Sequence, residues 1–165
     1  MRRSSGPAFA GDEGMPTSDP LRDRQEVEDV VVRLFVATDR RNWSSVEACL
    51  ADMVIFDMTS MAGGEPLHMK PAEIIATWKG GLEPIDHVHH QVGNFQIDVD
   101  GNLATAFCYG IAYHHREKIS HPSKTRTFVG NYDVHLTRND GKWRIDLFRF
   151  NLEFIEGNRD LETAT

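Results

Sequence analysis

The chain has little sulfur chemistry to offer, since Cys49 and Cys108 are the only cysteines among its 165 residues. Both sit in apolar segments, which excludes a disulfide framework and predicts buried free thiols in a reducing cytoplasm. Long apolar runs are missing as well. No segment approaches the roughly 18 residues of a membrane span, so a soluble, cytoplasmic protein without a membrane partner is expected. Positive charge is in deficit, with 18 Lys and Arg against 25 Asp and Glu and a net charge of −7. A surface of that sign repels polyanions, so nucleic acid is not an expected partner. Residues 1–17 lack a periodic apolar face and are rich in Gly, Ser and Pro, the composition of a disordered tail. No continuous apolar segment follows Arg2-Arg3, so an export signal is not expected, and Met15 stands as an alternative start to Met1. What remains is long enough for one domain with its own core, residues 18–158, followed by a flexible tail, 159–165.

Within that domain the helical signals come first. Ser18 or Asp19 can cap a helix with Pro20 in its first turn, where the missing N–H costs nothing. Val27, Val30, Val31, Leu34 and Phe35 recur at helical spacing, so one face lies on a core and the last turn delivers Thr38 and Asp39. A second helix is predicted from Ser44, whose spacing to Glu47 fits a capping box, with Cys49 and Leu50 as core residues. Residues 53–58 read as a strand, and Gly63-Gly64 turns the chain into a short return strand at 67–69. Lys70-Pro71 opens a third helix with Ile74, Ile75 and Trp78 on its apolar stripe, and Gly80-Gly81 is expected to end it in the left-handed conformation.

From residue 86 the pattern is all strand. Segments 86–99, 103–119, 124–137 and 142–154 alternate, with hairpin turns at Asp100-Gly101 and Asn139-Asp140-Gly141. The expected class is α+β: three helices on a strongly curved antiparallel or mixed sheet, enclosing a cone-shaped cavity suited to a small molecule. Pairing outward from Asp100-Gly101 brings His89 and His90 towards His114 and His115. Alternation lets one imidazole of each pair share a face; His114 is preferred because it shares its face with the small Gly110 and Ala112. Phe107, Tyr109 and Ile111 oppose Ala106, Cys108 and Ala112, so both sheet faces are apolar, which predicts a homodimer or homotrimer packed through the sheet.

Several strings, taken in order, carry a resemblance: Ala37-Thr38-Asp39 before Trp43, His90 followed by Gly93-Asn94, and Gly101-Asn102-Leu103-Ala104 leading to Ala112-Tyr113-His114. After them come Gly130-Asn131-Tyr132 and Asp140-Gly141-Lys142-Trp143-Arg144-Ile145. Over residues 19–156 the chain resembles the SnoaL-like branch of the NTF2-like superfamily, which includes scytalone dehydratase and the polyketide cyclases. The resemblance implies a cone fold and a site made of an aspartate at the end of the first helix and two histidines on neighbouring strands, which by position are Asp39, His90 and His114. It further implies an asparagine, matched by Asn131, and a serine for which Val129 or Gly130 stands instead. Two carbonyl-polarising tyrosines of scytalone dehydratase fall near Thr38 and Met58, so scytalone itself is not implied as substrate.

Elimination of water beside a carbonyl needs a base, an acid and a holder for the developing enolate oxygen. Histidine can supply the first two near neutrality, and a buried aspartate would orient it. The expected reading is therefore a cofactor-independent lyase or isomerase acting on a small hydrophobic, cyclic carbonyl compound. Its pocket would be lined by Thr38, Phe56, Met58, Met61, Trp78, Asn131, Tyr132, Phe148 and Phe150, with Tyr132 a possible hydrogen-bonding partner for the ligand. Against it stand a non-catalytic binding or assembly module, such as the small subunit of a ring-hydroxylating oxygenase, and Asp39 as a mere helix-end residue on a solvated face. His87 and His89 alternate onto one face as metal ligands can, but no Glu follows at a cupin-like interval, so no metal and no cofactor are expected.

Overall fold

Asp19 caps the first helix by accepting from the backbone N–H groups of Leu21 and Arg22, at 3.1 and 3.4 Å. The computed structural model describes residues 19–164; the tail expected at 1–17 lies outside them. Helix α1 is Pro20–Asp39, and its apolar stripe, from Val27 to Phe35, is buried as the spacing requires. Near its start, buried Asp23 pairs with Arg138, whose guanidinium lies 4.7 Å from the centre of the Trp143 ring. Helix α2, Trp43–Cys49, is capped by Asn42, which accepts from Ser45 N–H at 3.2 Å. The Ser44 box is therefore not formed: Ser44 lies inside the helix and donates its hydroxyl to Asn42 at 3.0 Å.

Strand β1, Leu50–Asp57, a single turn of helix α3, Thr59–Ala62, and strand β2, Leu67–Met69, follow. The α3 turn fills part of a segment expected to be only a glycine turn. Helix α4 is Pro71–Leu82 and runs through Gly80 and Gly81 in ordinary helical conformation. They do not end it, because Leu82 is buried one turn beyond Trp78 and extends the apolar stripe. Four long strands complete the chain: β3, His87–Asp100; β4, Leu103–His115; β5, Thr125–Asn139; and β6, Lys142–Gly157.

The six strands form one curved, unclosed sheet in the order β2-β1-β6-β5-β4-β3. The sheet is mixed, because β1 runs parallel to β6 while every other neighbouring pair is antiparallel. The main core lies between its concave face and α1, and both cysteines are buried in it as free thiols. The central strands keep one inward register throughout: even-numbered residues from Ala104 to Ala112 on β4 and from Arg126 to Leu136 on β5 face the core. Their outer partners do not. On β3, Asn94 and Phe95 together oppose Cys108, and on β6 extra residues shift the pairing twice, between Val129 and Gly130 and between His135 and Leu136 of the partner strand. Each such bulge bends the sheet and moves every later side chain to the other face.

Glycine supplies clearance where the sheet closes on its contents. A Cβ on Gly130 would lie 2.2 Å from the Asn151 carbonyl oxygen, whereas one on Gly80 would meet nothing within 4 Å. Gly130→Ala is accordingly expected to lower stability by about 1–3 kcal/mol. Gly80→Ala, in a helix interior, should raise it by up to about 1 kcal/mol. Urea unfolding midpoints of the two variants check both signs.

Candidate active site

Asp39 occupies the last helical position of α1, where a carboxylate meets the negative end of the helix dipole and is disfavoured by up to about 1 kcal/mol. Two donors from one residue compensate. His90 Nδ1 lies 2.6 Å from Asp39 Oδ1, and the His90 backbone N–H donates to Oδ2 at 2.9 Å. An ionised carboxylate can only accept, so Nδ1 carries the proton and Nε2 is left with a lone pair at the ring's other edge. Phe35 packs against the same ring, with centroids 5.2 Å apart.

The β3 bulge is what turns His90 inward. Between Gln96 and Asp100 the odd-numbered residues face the core; beyond Asn94, which has a positive φ of 57°, the even-numbered Val88, His90 and Val92 do. His90 then stands opposite Ala112 and His89 opposite Tyr113. The hairpin thus brings the two histidine pairs together at its open end, and the extra residue selects His90 rather than His89 to share the inward face with His114. His89 is exposed and stacks on Tyr113, with its Nδ1 4.0 Å from Asp39.

His114 faces inward beside Ala112, while His115 bonds Thr125 Oγ1 at 2.7 Å. The Nδ1 of His114 is buried and has no partner among the described residues. Burial, the neighbouring Arg126 and His90 hold its imidazole down to about 4, so it is neutral at physiological pH. Tyr132 lies across the same space, its ring filling the room left at Gly110, where a Cβ would come within 2.2 Å of it. Burial, with Cys108 and Asp39 nearby, pushes its phenol up, and it remains protonated.

These groups open on a cavity of about 420 Å³, within the usual size of small-molecule sites. Of the residues expected to line it, Thr38, Phe56, Met58 and Met61 do so, as do Trp78, Tyr132, Phe148 and Phe150. Thr38 spends its hydroxyl on the Leu34 carbonyl at 2.8 Å. Asn131 is not among them. It lies on the convex face, bonded to Asn151 at 2.8 Å and Glu153 at 3.3 Å, because β5 presents its even-numbered residues inward. Asp39 stands behind His90 rather than on the wall. Among the wall residues that were not expected there are Arg126 and Glu162, paired with each other. Arg126 was available from alternation, since it shares parity with Phe128 and Tyr132. Glu162 had no signal, because 159–165 reads as a flexible tail. The chain there is packed instead: Leu161 is fully buried, and Arg116 holds three carbonyls of the segment.

His87 pairs with Glu117 at 2.8 Å on the outside. Among the described residues, no group of three or more His, Cys, Asp or Glu is arranged to hold a metal.

A family model for the SnoaL-like domain matches residues 19–149. The chain belongs to the SnoaL-like domain family. Among curated proteins none matches it in sequence. Solved structures similar to this SnoaL-like domain include the Kfla4162 protein from Kribbella flavida, 20% identical with a TM-score of 0.83, covering 88% of this chain and 100% of that one. A candidate scytalone dehydratase from Novosphingobium aromaticivorans is 16% identical, TM-score 0.72, over 84% and 89% of the two chains. Hexachlorocyclohexane dehydrochlorinase LinA-type3 from Novosphingobium barchaimii is 11% identical, TM-score 0.70, over 84% and 92%. At such identities the likeness shows the NTF2-like cone fold.

The low His114 value makes the SnoaL-like domain's stability depend on pH. The folded imidazole titrates at about 4 and the unfolded one at 6.5, so between those values the unfolded chain carries the extra proton and stability rises with pH. The contribution is on the order of 3 kcal/mol across the window. His114→Gln should flatten that part of the stability curve relative to wild type, as read by urea unfolding from pH 4.5 to 7.

Proposed function

We propose that this SnoaL-like protein is a cofactor-independent lyase or isomerase that moves protons on a small, hydrophobic, cyclic carbonyl compound. One observation carries the reading: the Asp39–His90 pair, joined at 2.6 Å, presents a free imidazole nitrogen to a largely aromatic cavity that also holds an unpaired, neutral His114. Fold neighbours named for elimination of water and of hydrogen chloride support it.

In this mechanism His90 Nε2 removes the proton beside the carbonyl, and Asp39 fixes the tautomer and stabilises the imidazolium that forms. His114, kept neutral, directs an N–H at the oxygen on which charge develops, and the proton taken up by His90 Nε2 is returned to the leaving hydroxyl as its C–O bond breaks, so that water departs. The protonated Tyr132 phenol is a second donor to that oxygen. Phe56, Trp78, Phe148 and Phe150 hold the ring of the substrate and keep water from the charges.

On a panel of cyclic β-hydroxy ketones, His90→Ala and Asp39→Asn are each expected to lower kcat/KM about 10²- to 10⁴-fold while the fold is retained by circular dichroism. Turnover within a few-fold of wild type in both variants refutes the reading.

The convex face of the sheet exposes Leu103, Tyr109, Tyr113 and Phe154, which supports a homodimer or homotrimer packed through it. Tyr109→Arg combined with Phe154→Arg should then yield monomer in sedimentation velocity, and a wild type that sediments as monomer overturns the assembly.

A further inference from the structure

The acid–base reading leaves one charged pair of the cavity unused. Arg126 is the direct cross-strand neighbour of His114, on the same inward face. Its side chain is 9% exposed, and its guanidinium lies 4.7 Å from the Phe128 ring centre. One terminal nitrogen donates to Glu162 Oε2 at 2.7 Å and to the Arg159 carbonyl at 3.1 Å, and the other reaches Glu162 Oε1. Its Nε is buried with no partner among the described residues.

The counter-charge does not come from the sheet. Glu162 belongs to residues 158–164, which pack after the last strand, and its side chain is 36% exposed while its carboxylate lines the cavity. The segment is held chiefly by Arg116, which donates to the carbonyls of Leu161, Glu162 and Ala164 at 2.8, 3.1 and 2.8 Å, and by Leu161 in a small apolar cluster. Neither anchor uses the Glu162 side chain. That carboxylate can leave Arg126 without unpacking the segment.

A buried guanidinium stripped of its anion is costly, by several kcal/mol. A neutral ligand therefore cannot take the place of Glu162, but a second carboxylate can, because the exchange preserves both the charge balance and the two-pronged hydrogen bonding that the planar fork favours. We propose that Arg126 is an anion subsite of the cavity, that Glu162 is its resident stand-in, and that the substrate carries a carboxylate which replaces Glu162 on the guanidinium. The inference rests on the cavity being the substrate site. A carboxylate docked there places the adjoining carbons beside His114, on the side of the cavity that does the chemistry.

Calorimetric titration of the full chain with cyclohexanecarboxylate and with the isosteric neutral cyclohexanecarboxamide tests this without turnover. Wild type should bind the acid about tenfold or more tightly than the amide. Glu162→Gln, which removes the competitor, should tighten the acid about tenfold further and leave the amide unchanged. Arg126→Gln should abolish the preference; if that variant does not fold, the Glu162→Gln comparison decides. Equal binding of acid and amide, no binding of the acid by folded Glu162→Gln, or weaker binding of it than by wild type overturns the proposal. Acid and amide binding equally while His90→Ala still abolishes turnover removes the carboxylate alone. A clear acid preference with His90→Ala fully active removes the proton-transfer reading alone.

Discussion

The structure turns on a carboxylate placed where helix electrostatics would not choose to put it. Asp39 ends α1 with no basic residue in the last turn to offset the dipole, and it is held by the two donors of His90. The same two bonds tie the end of the longest helix to an edge strand of the sheet, so the contact that orients the imidazole also fixes how α1 lies across the concave face. Structure and candidate chemistry thus share a single joint, which makes the local unfavourable placement of Asp39 intelligible.

Around that joint, the cavity combines an aromatic wall with a small set of polar groups. Phe56 and Phe148 stack nearly parallel and Trp78 meets both edge-on, forming a rigid aromatic end. His90, His114 and Tyr132 line the same cavity, with Tyr132 packed on Phe148 at 5.4 Å between ring centres. Burial acts on these polar groups in a consistent sense: it disfavours charge on His114 and on Tyr132 alike, leaving a set of neutral donors around one imidazole whose partner is an anion.

Much of the fold was legible because the local signals are strong and independent: an Asp-capped helix with a clean apolar stripe, glycine-bearing hairpin turns at both ends of the strand region, and ordered family strings. Asp39, His90 and His114 were placed through the resemblance; the structure brings the two histidines to one cavity and sets Asp39 behind His90. Register was not legible. Strict alternation cannot foresee an extra residue at Asn94 or the two shifts along β6, so the Asp100-Gly101 turn located the histidine pairs at the open end of the hairpin without fixing which of His89 and His90 faces the core. Asn131 was misplaced for a related reason: its string matched the family, but on β5 the inward positions are even-numbered, and Tyr132 takes the wall. Arg126 and Glu162 escaped because an inward arginine and a charged terminal segment each look like surface until the ion pair between them is seen.

The two strand classes also differ in how they respond to changes in chain length. The central strands β4 and β5 are read in one frame from end to end, while β3 and β6 change frame partway along. For β3 the frame, more than the residue itself, decides which histidine is presented, since His89 and His90 are adjacent and chemically identical. Loss of one residue near Asn94 would exchange them, putting the same imidazole on the other side of the sheet, away from its carboxylate, with no change in the composition of the site. Sequence drift in such a family is then tolerated more readily as substitution than as length change along the bulged strands, and two members can share every site residue yet differ in whether those residues meet.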